Sequence, residues 1–384
     1  MSVAHETIRD AAAFAALPPD EWDALVLAQR RPSPFMLHAW LAAWLDVYGA
    51  TGDVRVHVAR RDGRLVGALP LIVQRRLGLR VATFLGGTQS ALADLLVDPA
   101  EPADTARAIV GRAQESGHDF ADLFGIPGDS VLAAAAPAGS LRLVQRVEAP
   151  TLDLRAGWDA VYAEKTSSKK RNLHRRRRRQ LAEQGSRLDV SVARTRDELA
   201  VALEDAFRLH ELRWVGRPDG SRFATPAGKR FHRRAIEALA PSGIPRIITL
   251  SLDGRAIAFH YYFLLDRCMH VHRLAFDPAF ARYSPGLVNT LDAIEAAAEE
   301  GAVRVEYLGG DERYKLELSD ELAPLNQGLG LARTGRGSVA VAARLAAIAA
   351  RRRLKRSAFL RKAYFDGLAP VRRRLQARPS TTSR

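Results

Sequence analysis

Three side chains that could carry chemistry follow a short predicted strand late in the chain. The sequence VEYLGGDERYKLELSD (305–320) reads as a strand that ends in two glycines, and Asp311, Tyr314 and Lys315 come just after it. Groups mounted beyond the end of a strand are common at the sites of α/β folds. Lys315 could stabilise a developing oxyanion, Tyr314 could donate a proton and Asp311 could accept one. A solvated charged turn explains the same residues without any chemistry.

A second candidate site is the start of a long helix just upstream. In FDPAFARYSPGLVNTLDAIEAAAEEG (276–301), Pro285 and Gly286 separate a loop from an amphipathic pattern. Proline suits the first helical turn, and glycine allows a ligand to approach the backbone closely. Free N–H groups and the helix dipole favour a phosphate or pyrophosphate there. An ordinary helix start is the simpler interpretation.

Three histidines lie on the strands before these two segments. His270 and His272 share a strand face by alternation, and His260 lies across a predicted turn at Asp266. No acidic ligand accompanies them, so we expect no metal, and a structural role or a place in a central cleft remains open. The single cysteine, Cys268, excludes a disulfide framework and a cysteine-rich metal site.

The elements that must position these groups occur twice along the chain. Residues 56–76 and 247–276 each read as strands joined by an Asp-Gly turn, followed by helices at 103–117 and 287–301 and by short strands at 121–125 and 304–310. Similar order at a similar offset predicts two copies of one β-β-β-α-β unit. The expected fold class is α/β (α+β): tandem units with mixed, largely antiparallel sheets flanked by helices.

The positive charge is concentrated in two segments. The chain has 384 residues and a net charge of +15. Residues 165–179 carry nine Lys or Arg and no acidic residue, and residues 351–384 carry twelve Lys or Arg and one acidic residue. The expected domains are 1–150, 151–335 and a basic helical extension at 336–384. The N-terminal segment lacks a signal-peptide pattern and no apolar run reaches 18 residues, so we expect a cytoplasmic protein, with a possible peripheral position at the inner face of the membrane.

The first basic segment, KTSSKKRNLHRRRRRQLAEQG (165–185), has the features of a folded helix. Ser167 or Ser168 can serve as its N-cap, Gly185 as its C-terminal stop, and Leu173 and Leu181 lie on one helical face. The arginines then point outward. The interpretation as a nucleic-acid arm is therefore the less favoured one.

Five segments taken in order resemble a known family. LHELRW (209–214), DGSRF (219–223), LDGRAIAFHYYF (252–263), AFDPAFARYSPG (275–286) and YLGGDERYK (307–315) resemble the acetyltransferase-like proteins grouped with the bacterial cellulose-biosynthesis protein CelD. That group belongs to the GNAT superfamily and is related to the Fem-type peptidoglycan aminoacyltransferases. The resemblance covers 160–320 well and the first half more loosely.

The resemblance implies an N-acyltransferase that uses acetyl-CoA or another acyl-CoA and no metal. It also places the helix start at 284–286 beside the donor pyrophosphate and gives Lys315 a functional counterpart. Together with the residue chemistry, the predicted catalytic residues are Asp311, Tyr314, Lys315 and His260, the predicted donor-binding residues are Ser284, Gly286, Leu287 and Asn289, and the predicted substrate-binding residues are Arg171, Arg175, Trp214 and His272. The usual GNAT signature, Arg/Gln-x-x-Gly-x-Gly/Ala, is altered here to ARYSPGLV (281–288).

The implied acceptor is a small amine or amino sugar, such as an envelope polysaccharide precursor, and 351–384 could contact an anionic membrane. The oligomeric state is open. Two alternatives remain: a Fem-like transferase that uses aminoacyl-tRNA, and an inactive GNAT-like scaffold that binds membrane or nucleic acid.

Overall fold

One mixed sheet runs through the structure, a computed structural model that describes residues 3–214, 222–309 and 313–356. Its strands are β1 (Val3–Ile8), β2 (Asp53–Arg61), β3 (Arg64–Arg76), β4 (Leu79–Phe84), β5 (Leu96–Val97), β6 (Phe120–Pro127), β7 (Leu141–Asp153), β8 (Leu188–Ala193), β9 (Pro245–Leu252), β10 (Arg255–Leu265), β11 (Cys268–Phe276), β12 (Arg304–Glu306) and β13 (Glu321–Gly330).

Helices cover both halves of this sheet. They are α1 (Ala11–Ala15), α2 (Pro19–Leu27), α3 (His38–Tyr48), α4 (Ala103–Gln114), α5 (Val131–Ala135), α6 (Trp158–Lys165), α7 (Ser168–Ala182), α8 (Arg196–Trp214), α9 (Pro226–Leu239), α10 (Pro285–Glu299), α11 (Arg313–Glu317) and α12 (Gly335–Arg356). The largest apolar cluster extends across both halves, from the α1–α3 region to α8 and α9.

The predicted repeat is present as β2-β3-β4-α4-β6 and β9-β10-β11-α10-β12. Both Asp-Gly turns have left-handed backbones, with φ of 53° and 83° at Asp62-Gly63 and of 49° and 77° at Asp253-Gly254. Such values define the type I′ hairpin turn that joins twisted antiparallel strands without distortion. The predicted fold class, a mixed sheet of tandem GNAT-like units flanked by helices, is confirmed.

The two units exchange their last strands. The sheet order is β1-β2-β3-β4-β6-β13-β7-β12-β11-β10-β9-β8, with β5 beside β3, so β7 pairs with β12 and β13 pairs with β6. Residue 150, the predicted domain boundary, falls within β7, and these domain limits stay a prediction. Among the described strand pairs, β4–β6 and β11–β12 are parallel and the others are antiparallel.

The arginine-rich segment forms α7, whose N-cap is Ser167: its side chain accepts a hydrogen bond from the N–H of Lys170. Leu181 is fully buried and Leu173 partly so. The expectation for Gly185 was wrong, because α7 ends at Ala182 and Gly185 lies beyond the cap with an ordinary negative φ. Glycine is needed there because an added Cβ would lie 2.4 Å from the carboxylate of Asp253.

Helix α12 packs on the first unit. Its apolar side chains lie against Phe120 and Leu329, and Arg344 pairs with Asp122 of β6. The remainder of the predicted basic extension, 357–384, lies outside the described residues. No helix in the described ranges has the length and apolar character needed to cross a membrane.

Candidate active site

A cleft opens in the second unit where its two parallel strands separate. Strands β11 and β12 pair only from Cys268 opposite Arg304 to His270 opposite Glu306. Beyond this point Leu308 (φ 55°) and Gly309 (φ 143°) turn the chain away from the sheet. The separation leaves a cleft of about 670 Å³ between the end of β11, the end of α8, the start of α10 and α11. Strand edges that diverge in this way offer unpaired backbone groups to a ligand.

The start of α10 forms one wall of the cleft and includes Ser284, Gly286 and Leu287. Ser284 has a left-handed backbone (φ 57°), and its carbonyl accepts hydrogen bonds from the N–H groups of Leu287 (3.0 Å) and Val288 (3.2 Å). The positive end of the helix dipole therefore points toward this wall, which favours an anionic group in the cleft.

Gly286 is required for packing inside this wall. A Cβ added to Gly286 would lie 2.8 Å from the ring of Phe276, which also lines the cleft. Phe276 in turn has the guanidinium of Arg213 4.8 Å from its ring centroid. The glycine thus allows the start of α10 to lie directly against the end of β11.

We expect Gly286→Ala to raise the KM for the substrate that binds against this wall about five- to tenfold. Overpacking of a tight contact costs about 1–3 kcal/mol, and moving Phe276 reshapes the cleft rather than the chemistry. Gly111→Ala is the matched control, because Gly111 lies in helix α4 with open space around it. Steady-state kinetics test this expectation, and an unchanged KM in Gly286→Ala contradicts it.

Lys315 and Tyr314 lie on α11 and line the opposite wall. Lys315 is only 5% exposed, and its ammonium donates a 2.6 Å hydrogen bond to the carbonyl of Gly309. A buried ammonium held by a fixed acceptor is pre-organised to stabilise negative charge. Asp311, the proposed proton acceptor, lies outside the described residues.

Trp214 and His272, the predicted substrate-binding residues of the second unit, also line the cleft, and their role stays a prediction. Trp214 stacks on His210 with an interplanar angle of 12°. The ring of His272 lies 5.3 Å from that of Trp40, and neither of its nitrogens has a hydrogen-bond partner in the described part of the chain. Burial, with a smaller effect of the charge of Arg273, holds the pKa of His272 well below its ordinary value, so the imidazole is neutral.

Four of the predicted site residues are not in the cleft wall. His260 is buried beside Tyr262, and burial, with the charge of Lys315, lowers its pKa to about 3. Asn289 is fully buried and donates to the carbonyl of Ile248. On α7, the guanidinium groups of both predicted arginines hydrogen-bond locally, Arg171 to backbone carbonyls of Ala163 and Thr166 and Arg175 to Asn172. Their functional roles stay predictions.

Arg273 is a cleft residue that the sequence did not indicate. Strand β11 contains a bulge: Val271 lies opposite Tyr262 and Arg273 opposite Tyr261, so His272 is an extra residue. The bulge brings the neighbours His272 and Arg273 to the same cleft, whereas strict alternation predicts opposite faces. Burial lowers the pKa of Arg273 to about 10, and the guanidinium remains charged at neutral pH.

The buried histidines should make the protein sensitive to acid. Burial lowers the pKa of five of them in the second unit, His210, His232, His260, His270 and His272. Below pH 6.5 the unfolded chain binds protons that the folded chain does not, so stability falls with pH by about 1.4 kcal/mol per unit for each such histidine. We expect the melting temperature to fall steeply between pH 7 and pH 5, and His272→Phe to reduce the slope. Equal melting temperatures at both pH values contradict this expectation.

Within the described ranges no group of three potential metal ligands occurs.

The fold is that of tandem GNAT-like proteins. Residues 168–316 match the family model described as "Acetyltransferase (GNAT) domain". The match confirms the prediction of a GNAT-type acyltransferase, and it covers α7, the cleft and the start of α11. The CelD-type assignment is finer than the match and stays a prediction.

Solved structures show the same fold at low sequence identity. FemX has a TM-score of 0.58 at 12% identity, over 87% of this chain and 98% of that one. The C-terminal domain of a putative lysylphosphatidylglycerol synthetase from Agrobacterium fabrum has a TM-score of 0.54 at 14% identity, over 88% of this chain and 96% of that domain. A tandem GNAT protein from the clavulanic acid biosynthesis pathway has a TM-score of 0.50 at 13% identity, over 87% of this chain and 100% of that one. No curated protein matches this chain.

Proposed function

We propose that the protein transfers an acyl group from acyl-CoA to a primary amine in the cleft of the second unit. The observation that carries the proposal is the convergence of the α10 start, the buried Lys315 ammonium and the separating strands β11 and β12 on one cleft of about 670 Å³. An amino sugar is the acceptor we favour, in line with the resemblance to CelD-like proteins.

The residues of the cleft divide into donor-binding and reacting groups. The start of α10, where Gly286 lines the cleft at the positive end of the helix dipole, suits the pyrophosphate of the donor. Acyl-CoA supplies an activated acyl group as a thioester. We assign Lys315 to the stabilisation of negative charge on the carbonyl oxygen during attack by the amine, since its ammonium already faces a carbonyl in the cleft wall.

Proton transfer requires an acceptor for the amine proton and a donor for the leaving thiolate. His272 is neutral and lines the cleft, but its lowered pKa makes it a weak base, so the amine must enter as the free base. Tyr314, also in the wall, is assigned to protonate the thiolate. The proton that the amine loses on forming the amide is assigned to Asp311.

One observation favours a second donor, aminoacyl-tRNA. Helix α7, with its run of arginines, is joined to α11 by the 2.7 Å ion pair between Lys170 and Glu317 and to α10 by an ion pair between Arg178 and Asp292. A basic helix attached to both cleft walls could follow the phosphates of a polynucleotide donor.

A transfer assay with two donors separates these possibilities. Acetyl-CoA with a panel of primary amines, including glucosamine, should release thiol only when an amine is present. Transfer from labelled aminoacyl-tRNA, without amine-dependent thiol release, would establish the second donor instead. The affinity for that donor should then fall by orders of magnitude between about 50 and 200 mM salt.

A further inference from the structure

A second cleft, called here the first-unit cleft, lies at the ends of the first unit's strands, at the place that corresponds to the active-site cleft; Arg222, Thr225 and Ala227 of the second unit also line it. Strands β4 and β6 pair in parallel only at Val81 opposite Phe120 and Ala82 opposite Ala121. Beyond these pairs the strands separate, and a cleft of about 670 Å³ opens between their ends and the end of α3. In the second unit, β11, β12 and α8 occupy these positions. An opening of this kind therefore occurs beside the parallel strand pair of each unit.

The chemistry of the first-unit cleft is different. The start of α4, the counterpart of α10, is not among its lining residues. Instead, the lining includes one acidic side chain, Asp122, and four arginines, Arg76, Arg146, Arg222 and Arg344. The lining therefore carries a net charge of +3. Repulsion among these cations opposes folding, so a ligand with several negative charges would gain binding energy there.

Of the four guanidinium groups, those of Arg146 and Arg222 have no hydrogen-bond or ion-pair partner in the described part of the chain. By contrast, Arg344 pairs with Asp122, and Arg76 donates to Gln74. A guanidinium group presents a planar fork of donors that matches phosphate oxygens. Two such forks facing one cleft suit a pyrophosphate better than a single carboxylate.

The position of Arg146 results from a β-bulge. In the β7–β13 pairing Val147 lies opposite Leu325 and Gln145 opposite Asn326, so Arg146 is the extra residue of β7. Bulges redirect side chains and often lie beside binding sites. A bulge thus directs Arg146 into the first-unit cleft, as the bulge at His272 directs Arg273 into the active-site cleft.

Aromatic rings complete the cleft. Trp44, Tyr48, Phe84 and Phe124 line it, and Phe124 is 43% exposed although it belongs to a sheet strand. An exposed ring beside unpaired arginines can stack on a planar group of the ligand. The lining therefore combines groups for phosphate with groups for a flat ring.

We propose that the first-unit cleft binds a pyrophosphate ester that carries a planar base. This chemistry has two sources, the CoA donor itself and an acceptor linked to a nucleoside diphosphate. The site is separate from the acyl-transfer cleft, and its existence does not depend on the function proposed for that cleft.

A single glutamine connects the two clefts. Gln89 lines the first-unit cleft, and its side-chain oxygen lies 3.4 Å from Arg273 and 3.3 Å from His232. Arg273 lines the acyl-transfer cleft. A ligand that moves Gln89 would therefore change the hydrogen bonding of a cation in the second cleft.

Charge reversal with a matched control tests the proposal. Uridine diphosphate, inorganic pyrophosphate and acetyl-CoA are titrated calorimetrically into the full chain and into Arg146→Glu/Arg222→Glu. The control, Arg75→Glu/Arg142→Glu, changes the net charge equally at exposed arginines of β3 and β7 that do not line the cleft. Circular dichroism and melting temperatures verify that both variants fold.

The expected result is binding of uridine diphosphate, stronger than that of pyrophosphate, with at least a tenfold loss in the cleft variant and less than a threefold loss in the control. If the parent protein binds two equivalents of acetyl-CoA and the cleft variant binds only one, the ligand of the first-unit cleft is the CoA donor. Absence of all these binding events from the first-unit cleft overturns the proposal, as does an equal loss in both variants. Gly286→Ala, which alters the other cleft, should leave binding of uridine diphosphate unchanged, so a failure of the proposed function is recognised separately.

Discussion

Replacing Lys315 with methionine is expected to lower kcat for acyl transfer by a factor of about 10² to 10³, the usual cost of removing one pre-organised group that stabilises a developing charge. Lys315 is buried in the cleft wall, and its ammonium donates to the carbonyl of Gly309. Methionine keeps much of the side-chain volume and removes only the charge and the donors. The KM for the donor should change less than kcat, because the interaction strengthens during the reaction.

Two further variants separate a catalytic effect from a structural one. Lys229→Met removes a partly buried lysine that pairs with Glu211 outside the cleft, and it should retain near-normal turnover. Lys315→Arg retains the charge and should recover part of the activity. Removal of a buried charged donor also costs about 1.5–3 kcal/mol of stability, so kcat is measured well below each melting temperature. A kcat within threefold of the parent value for Lys315→Met excludes the assigned role.

The second large effect concerns stability, and we expect Glu306→Gln to lower the free energy of unfolding by about 3–5 kcal/mol. Glu306 is 1% exposed and is the last residue of β12, before the chain turns toward the active-site cleft. Its carboxylate accepts hydrogen bonds from both sides of the Arg31 guanidinium fork, one of them of 2.8 Å, and lies 3.2 Å from Arg304. Arg31 belongs to the first unit, so the pair joins the two halves. The amide leaves the partly buried Arg31 charge poorly compensated.

Denaturant unfolding measures this loss. Glu321→Gln, at an exposed position of β13, is the matched control and should change stability by less than about 0.5 kcal/mol. The double change Arg31→Met/Glu306→Leu removes both charges and should recover much of the loss. If Glu306→Gln is as stable as the control, the pair does not hold the halves together.

The same pair has a defined pH dependence. Burial acts to raise the pKa of Glu306, but the hydrogen bonds and charge of Arg31 outweigh it, and the pKa is lower than the ordinary 4.5. A lowered folded-state pKa means that the stabilisation is complete above pH 4.5 and is lost as the pH falls through the folded-state value. The Glu306→Gln variant should lack this component of acid sensitivity and keep that of the histidines.

The parts of the fold that depend on local sequence could be predicted. The hairpins follow from Asp-Gly pairs that accept a positive φ, and the start of α10 follows from Pro285 at the first helical position. The exchange of β7 and β13 could not be predicted, because it depends on pairing between residues about 180 positions apart, such as Val147 and Leu325. Nothing in either strand's own pattern specifies its partner.

The residues of the candidate active site also divide into those that the local sequence predicts and those that it does not. The segment around Gly286 could be identified because Pro285 marks a helix start, and the segment around Lys315 because it follows the end of a strand. Arg273 and Arg146 were missed because bulges change which way a strand residue points, and a bulge is not visible as alternation in one sequence. His260 was expected in the cleft but is buried beside it, since its face of the sheet is covered.

Calorimetric titration of acetyl-CoA into the full chain is the most direct test of acyl-CoA-dependent transfer in the second-unit cleft. We expect a binding event at that cleft that weakens about five- to tenfold in Gly286→Ala and is unchanged in Gly111→Ala. A folded protein that gives no binding heat over a range of temperatures, or an event that Gly286→Ala leaves unaltered, would contradict acyl-CoA-dependent transfer in this cleft.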